Sequence, residues 1–140
     1  MTIWYQSELQ VKTPGRSAID ISAVIDDAVN GASVTTGLAH VFLKHTSASL
    51  MLCENADATV LTDMETILKR LAPDADAEYR HDYEGDDDMA AHVRSVLTTN
   101  DVTLPVSRGR LNLGTWQGLF LYEHRYASHS RQLIVTVSGK

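Results

Sequence analysis

Ser107-Arg-Gly-Arg-Leu-Asn-Leu-Gly-Thr-Trp-Gln-Gly-Leu-Phe-Leu-Tyr-Glu-His124 is the stretch around which the chain is organised. Gly109 sits between Arg108 and Arg110, directly after the apolar run Val102–Val106, which predicts a tight turn between two strands. Gly114-Thr-Trp-Gln-Gly118 then puts a large aromatic and an amide between two glycines. Glycine weakens a strand by roughly 0.5–1 kcal/mol relative to alanine. Two of them here mark a bulge or a close approach of another backbone or a ligand. Trp116 is then either a core aromatic flanked by turn residues or the tip of a binding loop.

Outward from this stretch, the end of the chain reads as four strands: Val102–Val106, Arg110–Leu113, Gly118–His124 and Arg131–Val137. The front half opens with a loosely alternating strand, Ile3–Lys12, ended by Pro14-Gly15. A helix follows from Asp20 as N-cap, with Ile21, Val24, Ile25, Ala28 and Val29 at helical spacing and Asn30-Gly31 as its stop. Gly37–Thr46 and Ser49–Cys53 read as strands joined by a bend at Thr46-Ser47-Ala48. Asn55-Ala-Asp57 opens a second helix with the stripe Val60, Met64, Ile67 or Leu68, and Leu71, closed by Pro73. After an acidic connection, a third helix runs from about Met89 to Thr98, with Met89, Val93, Val96 and Leu97 on its apolar side. This order predicts an α+β fold: a single domain over 1–140 with a mainly antiparallel sheet, two-layer or sandwich-like, and about three helices.

Bulk composition narrows the partners. The net charge is −6, and no cluster of Lys and Arg exceeds two residues. Nucleic acid is therefore not an expected partner. No apolar run nears the roughly 18 residues a membrane span needs, and the N-terminus lacks the pattern of a signal peptide. One cysteine, Cys53, excludes an internal disulfide framework and points to a reducing, cytoplasmic setting.

The chain has six histidines. His45 ends a strand beside the hydroxyls of Thr46, Ser47 and Ser49, His81 sits in the acidic connection, and His92 lies on the third helix. Each alone reads as a hydrogen-bonded structural histidine; together they could converge on a divalent ion. No Cys-x-x-Cys or His-Glu-x-x-His motif occurs. Asp74, Asp76 and Glu78 imitate the start of a calcium loop, but Tyr79 occupies the position that needs glycine. Ser47 lacks a Gly-x-Ser-x-Gly elbow and reads as a strand-end hydrogen-bonding group. Glu123 shares a strand face with Leu119 and Leu121, so it lies either at an open strand end or partly buried with a partner. Arg108 and Arg110 are either turn-exposed charges or a bidentate phosphate grip.

Three motifs in order carry a resemblance: His45-Thr-Ser-Ala48 followed by Glu54-Asn-Ala-Asp57; Tyr79-Arg-His81 through Glu84-Gly85 to Ala91-His92; and Gly109-Arg-Leu-Asn-Leu-Gly-Thr-Trp-Gln-Gly118. Over essentially its whole length the chain resembles the YjbQ-like family, whose members are often labelled secondary thiamine-phosphate synthases. The resemblance implies a homotrimer with a polar pocket near a subunit interface. It also implies that His45, His81 and His92 gather there with Asn55, Asp57 and the Thr115-Trp116-Gln117 turn. The implied activity joins a pyrimidine pyrophosphate to a thiazole phosphate and releases pyrophosphate. Such a transfer needs a divalent cation, Mg or Zn, or basic groups at the leaving pyrophosphate. The expected site has His45, His92 and Glu123 as catalytic groups and His45, His81 and His92 as metal ligands. Thr46, Ser47, Asn55, Asp57, Glu84, Arg110, Thr115, Trp116 and Gln117 contact a phosphorylated small molecule. The alternative is a metal- or anion-binding protein without catalysis. Asp88 and Ala90 depart from the family pattern, which has asparagine and an acidic residue near those positions, so a variant pocket is expected.

Overall fold

The computed structural model describes residues 1–140. Its elements are β1 (Ile3–Lys12), β2 (Ser17–Asp20), α1 (Ser22–Gly31), β3 (Thr36–Leu43), β4 (Ala48–Glu54), α2 (Ala58–Leu71), α3 (Asp88–Leu97), β5 (Asp101–Ser107), β6 (Arg110–Leu111), β7 (Gln117–Glu123) and β8 (Ser130–Gly139). All strand pairs are antiparallel and form two sheets, β1-β8-β3-β5-β6 and β2-β7-β4. The fold is α+β, as the sequence predicts.

The inner faces of both sheets close on one core. Ala39, Val41 and Leu43 of β3, Leu104 and Val106 of β5, and Leu133, Val135 and Val137 of β8 meet Leu50 of β4 and Leu119 and Leu121 of β7. Ile25 and Val29 of α1 complete it. A second cluster, Met51, Phe120 and Tyr122 with Leu68 of α2, covers the outer face of the small sheet. Each fully buried large apolar side chain in these layers is worth roughly 1.5–3 kcal/mol of transfer free energy. No helix is long and apolar enough to cross a membrane.

The tight turn at Gly109 is present: Arg108 and Gly109 both have positive φ, 55° and 77°, and Ser107 pairs with Arg110. Three sequence expectations need correction. The residues before the first helix form a short strand, β2, because Ser17–Asp20 pairs with Phe120–Glu123. Asp20 therefore ends a strand, although its carboxylate still accepts the Ser22 N–H. In α2 the inward side is Leu61, Met64 and Leu68, and Ile67 and Leu71 face out. In α3 the expected apolar side is turned outward, with Val96 83% exposed. Ala90, Ala91, Arg94 and Ser95 face in instead. Small side chains let this helix lie close on β4, where Ser95 Oγ donates to the Ala48 carbonyl at 3.2 Å. Arg94 finds both oxygens of Glu65 on α2 at 2.8 and 3.0 Å.

Candidate functional site

The acidic connection and the first turns of α3 build the site. Asp88 and His92 are one helical turn apart, so their side chains share a face. Asp88 Oδ2 lies 2.7 Å from His81 Nε2 and 3.2 Å from His92 Nε2. Glu84 Oε2 is 3.2 Å from the same His81 nitrogen. One ligand atom from each of His81, Glu84, Asp88 and His92 falls within 4.8 Å of all the others. The two imidazoles stand edge to face, with centroids 5.4 Å apart.

Arg125, just beyond β7, holds this group from behind. It donates from Nη1 to Asp88 Oδ1 at 2.6 Å, from Nε to Asp87 Oδ2 at 3.0 Å and from Nη2 to the Glu84 carbonyl at 2.9 Å. Burial opposes the Asp88 charge, but the bond to His81 and the Arg125 guanidinium hold its carboxyl below the ordinary range. The bond to Asp88 in turn raises His81 above the usual imidazole value.

The other expected residues are distributed as follows. His45 follows β3 and is outside this four-residue group: its Nε2 accepts the Gln132 N–H at 2.8 Å. Its neighbour Thr46 does reach the group, because the Thr46 carbonyl accepts from His92 Nδ1 at 3.1 Å. Ser47 turns its hydroxyl and carbonyl to Arg131 Nη2 at 3.1 and 3.2 Å. Glu123 is fully buried, with its oxygens taken by Thr13 Oγ1 at 2.7 Å, Arg131 Nε at 2.8 Å, Arg131 Nη2 and the Arg125 N–H at 3.1 Å. Burial would raise its pKa, but Arg131, Thr13 and the Arg125 amide keep it below the usual carboxylate value. Of the two readings open for Glu123, the buried partner is realised. Its every acceptor position is filled, so in this structure it positions Arg131 and no reacting atom.

The tryptophan turn lies elsewhere in the subunit. Trp116 is 64% exposed, and its carbonyl accepts the Asn55 N–H at 3.0 Å. Gln117 Oε1 closes the turn on the Gly114 N–H at 2.9 Å, while Thr115 stays exposed between them. Asp57 caps α2 through the Thr59 N–H at 2.9 Å. The β4–β7 ladder pairs Glu54 with Gln117 at one end and Ala48 with Glu123 at the other. At roughly 3.4 Å per residue, these ends are about 20 Å apart. One subunit therefore does not bring Asn55, Asp57 and Trp116 to His81 and His92. Arg110, 71% exposed, is paired with Asp26 of α1 at 2.8 Å, at the far end of β3 from His45.

Asp88 and Arg125 were not among the expected site residues. In the sequence Asp88 stands out only as a departure from the family pattern, but its i,i+4 relation to His92 and the i,i+3 relation of His81 to Glu84 are visible signals. Arg125 leaves none, because the partners it joins lie some forty positions away.

The family model described as UPF0047 protein YjbQ-like matches residues 7–140. The UPF0047 protein sll1880 of Synechocystis is 48% identical over 97% of this chain and 92% of its own length. The UPF0047 protein YjbQ of Salmonella typhimurium is 45% identical over 99% of this chain and 100% of its own. Among solved structures, the conserved hypothetical protein TT1486 of Thermus thermophilus superposes with TM-score 0.84 at 35% identity, over 94% of this chain and 98% of that one. A YbjQ-like protein of Sulfolobus solfataricus gives TM-score 0.90 over 100% of both chains at 23% identity, a likeness of fold. The sequence motifs, the two-sheet fold and these relatives agree: the chain belongs to the UPF0047 YjbQ-like family.

Proposed function

We propose that this chain binds one divalent cation, zinc or magnesium, through His81, Glu84, Asp88 and His92, and acts there on a phosphorylated small molecule. The observation that carries this is the state of His92. A carbonyl oxygen only accepts, so His92 Nδ1 bears the proton donated to Thr46. In neutral imidazole the Nε2 lone pair is then turned on Asp88 Oδ2 at 3.2 Å, acceptor against acceptor. A proton on Nε2 or a metal ion between the two removes that conflict; the ion is favoured because His81 and Glu84 bring further ligand atoms to the same point, and a histidine donating its other N–H to a backbone carbonyl is the usual support of a metal ligand. The four side chains that would hold the ion already bring one ligand atom each to within 4.8 Å of the others, and two imidazoles with two carboxylates are a donor set that would suit zinc.

The reaction we assign is transfer of a pyrimidine methylene from its pyrophosphate to the nitrogen of a thiazole phosphate. The methylene C–O bond breaks, a C–N bond forms, and pyrophosphate leaves. When bound, the ion supplies positive charge to the departing pyrophosphate. His92 and Thr46 fix the bend that carries His45, and Arg125 keeps Asp88 ionised. The lone Cys53 is free, which suits the reducing cytoplasm.

The distance from this cluster to the Trp116 turn favours a second reading, a metal-binding protein without catalysis. In our reading the active form is a homotrimer, in which a neighbouring subunit brings its tryptophan turn to the cluster. Calorimetry with Zn²⁺ and Mg²⁺ tests the site itself. One ion per chain is expected, with affinity at least tenfold weaker in His92→Ala. Binding should also be weaker at pH 6 than at pH 8, because His81 must give up a proton held by Asp88. Equal binding by the variant overturns the site. Metal binding without thiamine phosphate formation from the two precursors leaves the non-catalytic reading.

A further inference from the structure

Where the bend between β3 and β4 meets the start of β8, two polar nitrogens are used by no protein group. The first is on His45. The β3–β8 ladder pairs Leu43 with Leu133, and beyond it the Lys44 N–H still donates to the Gln132 carbonyl at 3.1 Å. The Gln132 N–H, with no backbone carbonyl to meet, donates to His45 Nε2 at 2.8 Å. A backbone amide cannot accept, so Nε2 carries the lone pair and the ring proton sits on Nδ1. The tautomer is thus set by the sheet.

The second nitrogen is on Arg131, whose side chain is only 4% exposed. Nε and Nη2 are spent on Glu123 and Ser47, which leaves Nη1 without a partner. Neither Nδ1 of His45 nor Nη1 of Arg131 is sealed from water, since the sealed, partnerless atoms belong to Arg94 and His124. Arg131 and Gln132 are adjacent on β8, and they hold Ser47 and His45, two residues apart on the bend, so the guanidinium and the ring meet the same short segment. The Glu123 oxygens are filled by four donors, so the groups left without a partner here are N–H donors.

We propose that His45 Nδ1–H and Arg131 Nη1 form an oxyanion pocket that receives a phosphate or carboxylate oxygen beside the histidine–carboxylate cluster. The assignment deepens the reading above, on which it rests for a phosphorylated ligand, and gives Arg131 the role expected of Arg110. An imidazole whose Nε2 is engaged by the sheet presents Nδ1–H as a fixed donor, and a preorganised donor suits this task.

The test is nitrogen NMR of histidine-labelled, metal-free protein titrated with inorganic phosphate, and with acetate in a parallel arm. His45 should carry its proton on Nδ1, and that resonance should move with phosphate. Movement with acetate as well identifies a general oxyanion pocket; movement with phosphate alone, a phosphate pocket. His45→Ala should weaken phosphate binding about tenfold, or about 1.4 kcal/mol, and leave zinc affinity unchanged. Arg131→Lys, which keeps a charge for Glu123, should weaken it similarly. A proton on Nε2, an unmoved Nδ1 resonance, or unchanged phosphate affinity in both variants overturns the proposal. If the wild-type resonance moves but zinc does not bind, the metal reading fails and the pocket stands.

Discussion

His124 is an imidazole stored in the core. It is fully buried, its Nε2 is 2.8 Å from Ser49 Oγ, and its ring lies 4.7 Å from that of Tyr122. Burial, reinforced by Arg94, pushes its pKa down to about 3. The unfolded chain takes up this proton near pH 6.5, and the folded chain does not until about pH 3. The stability His124 contributes is therefore intact above about pH 6.5 and drains away as the pH falls toward the folded value. Chemical denaturation across this window should show a slope that His124→Phe reduces by up to one proton, about 1.4 kcal/mol per pH unit. At this scale the sequence was partly legible. The strand face of Glu123 followed from period two, but its partner did not, because Arg131 reaches it across a strand connection.

The inverted face of α3 shows what hydrophobic periodicity leaves out. Val96 and Leu97 sit at helical spacing with Val93, yet the helix buries Ala90, Ala91, Arg94 and Ser95. Close approach to β4 and the Arg94–Glu65 pair outweigh the burial of two aliphatic side chains; both depend on partners distant in sequence. Ala91→Leu should force the helix off the strand and cost about 1–3 kcal/mol of overpacking. Val96→Lys should stay within about 0.5 kcal/mol. Urea melts of the two variants decide this, and the reverse ranking would mean the helix is turned the other way. The strands were better legible, because alternation reports a sheet face locally, and β2 was missed because four residues carry too little of that signal.

Across the whole molecule, the histidine–carboxylate cluster and the Trp116 turn occupy opposite ends of the small sheet. If the active form shares its site between subunits, His92→Ala and Trp116→Ala proteins should each be inactive alone. Mixed and reassembled, they should recover a fraction of the activity, measured as product from the two phosphorylated precursors. No recovery on mixing would place the whole reaction in one subunit. The α+β, mainly antiparallel class of the fold was legible from the order of elements; the separation of the two ends was not, because it depends on the register of β4 with β7. The position of β8 carries a consequence for how the chain is made. This last strand lies between β1 and β3, which have no other link in their sheet. On the ribosome, β1 must therefore wait until residues 130–139 have been made before it can zip into place. Such long-range closure belongs to the slow, millisecond-to-second class of folding, and it leaves the nascent β1 dependent on protection from aggregation until β8 is available.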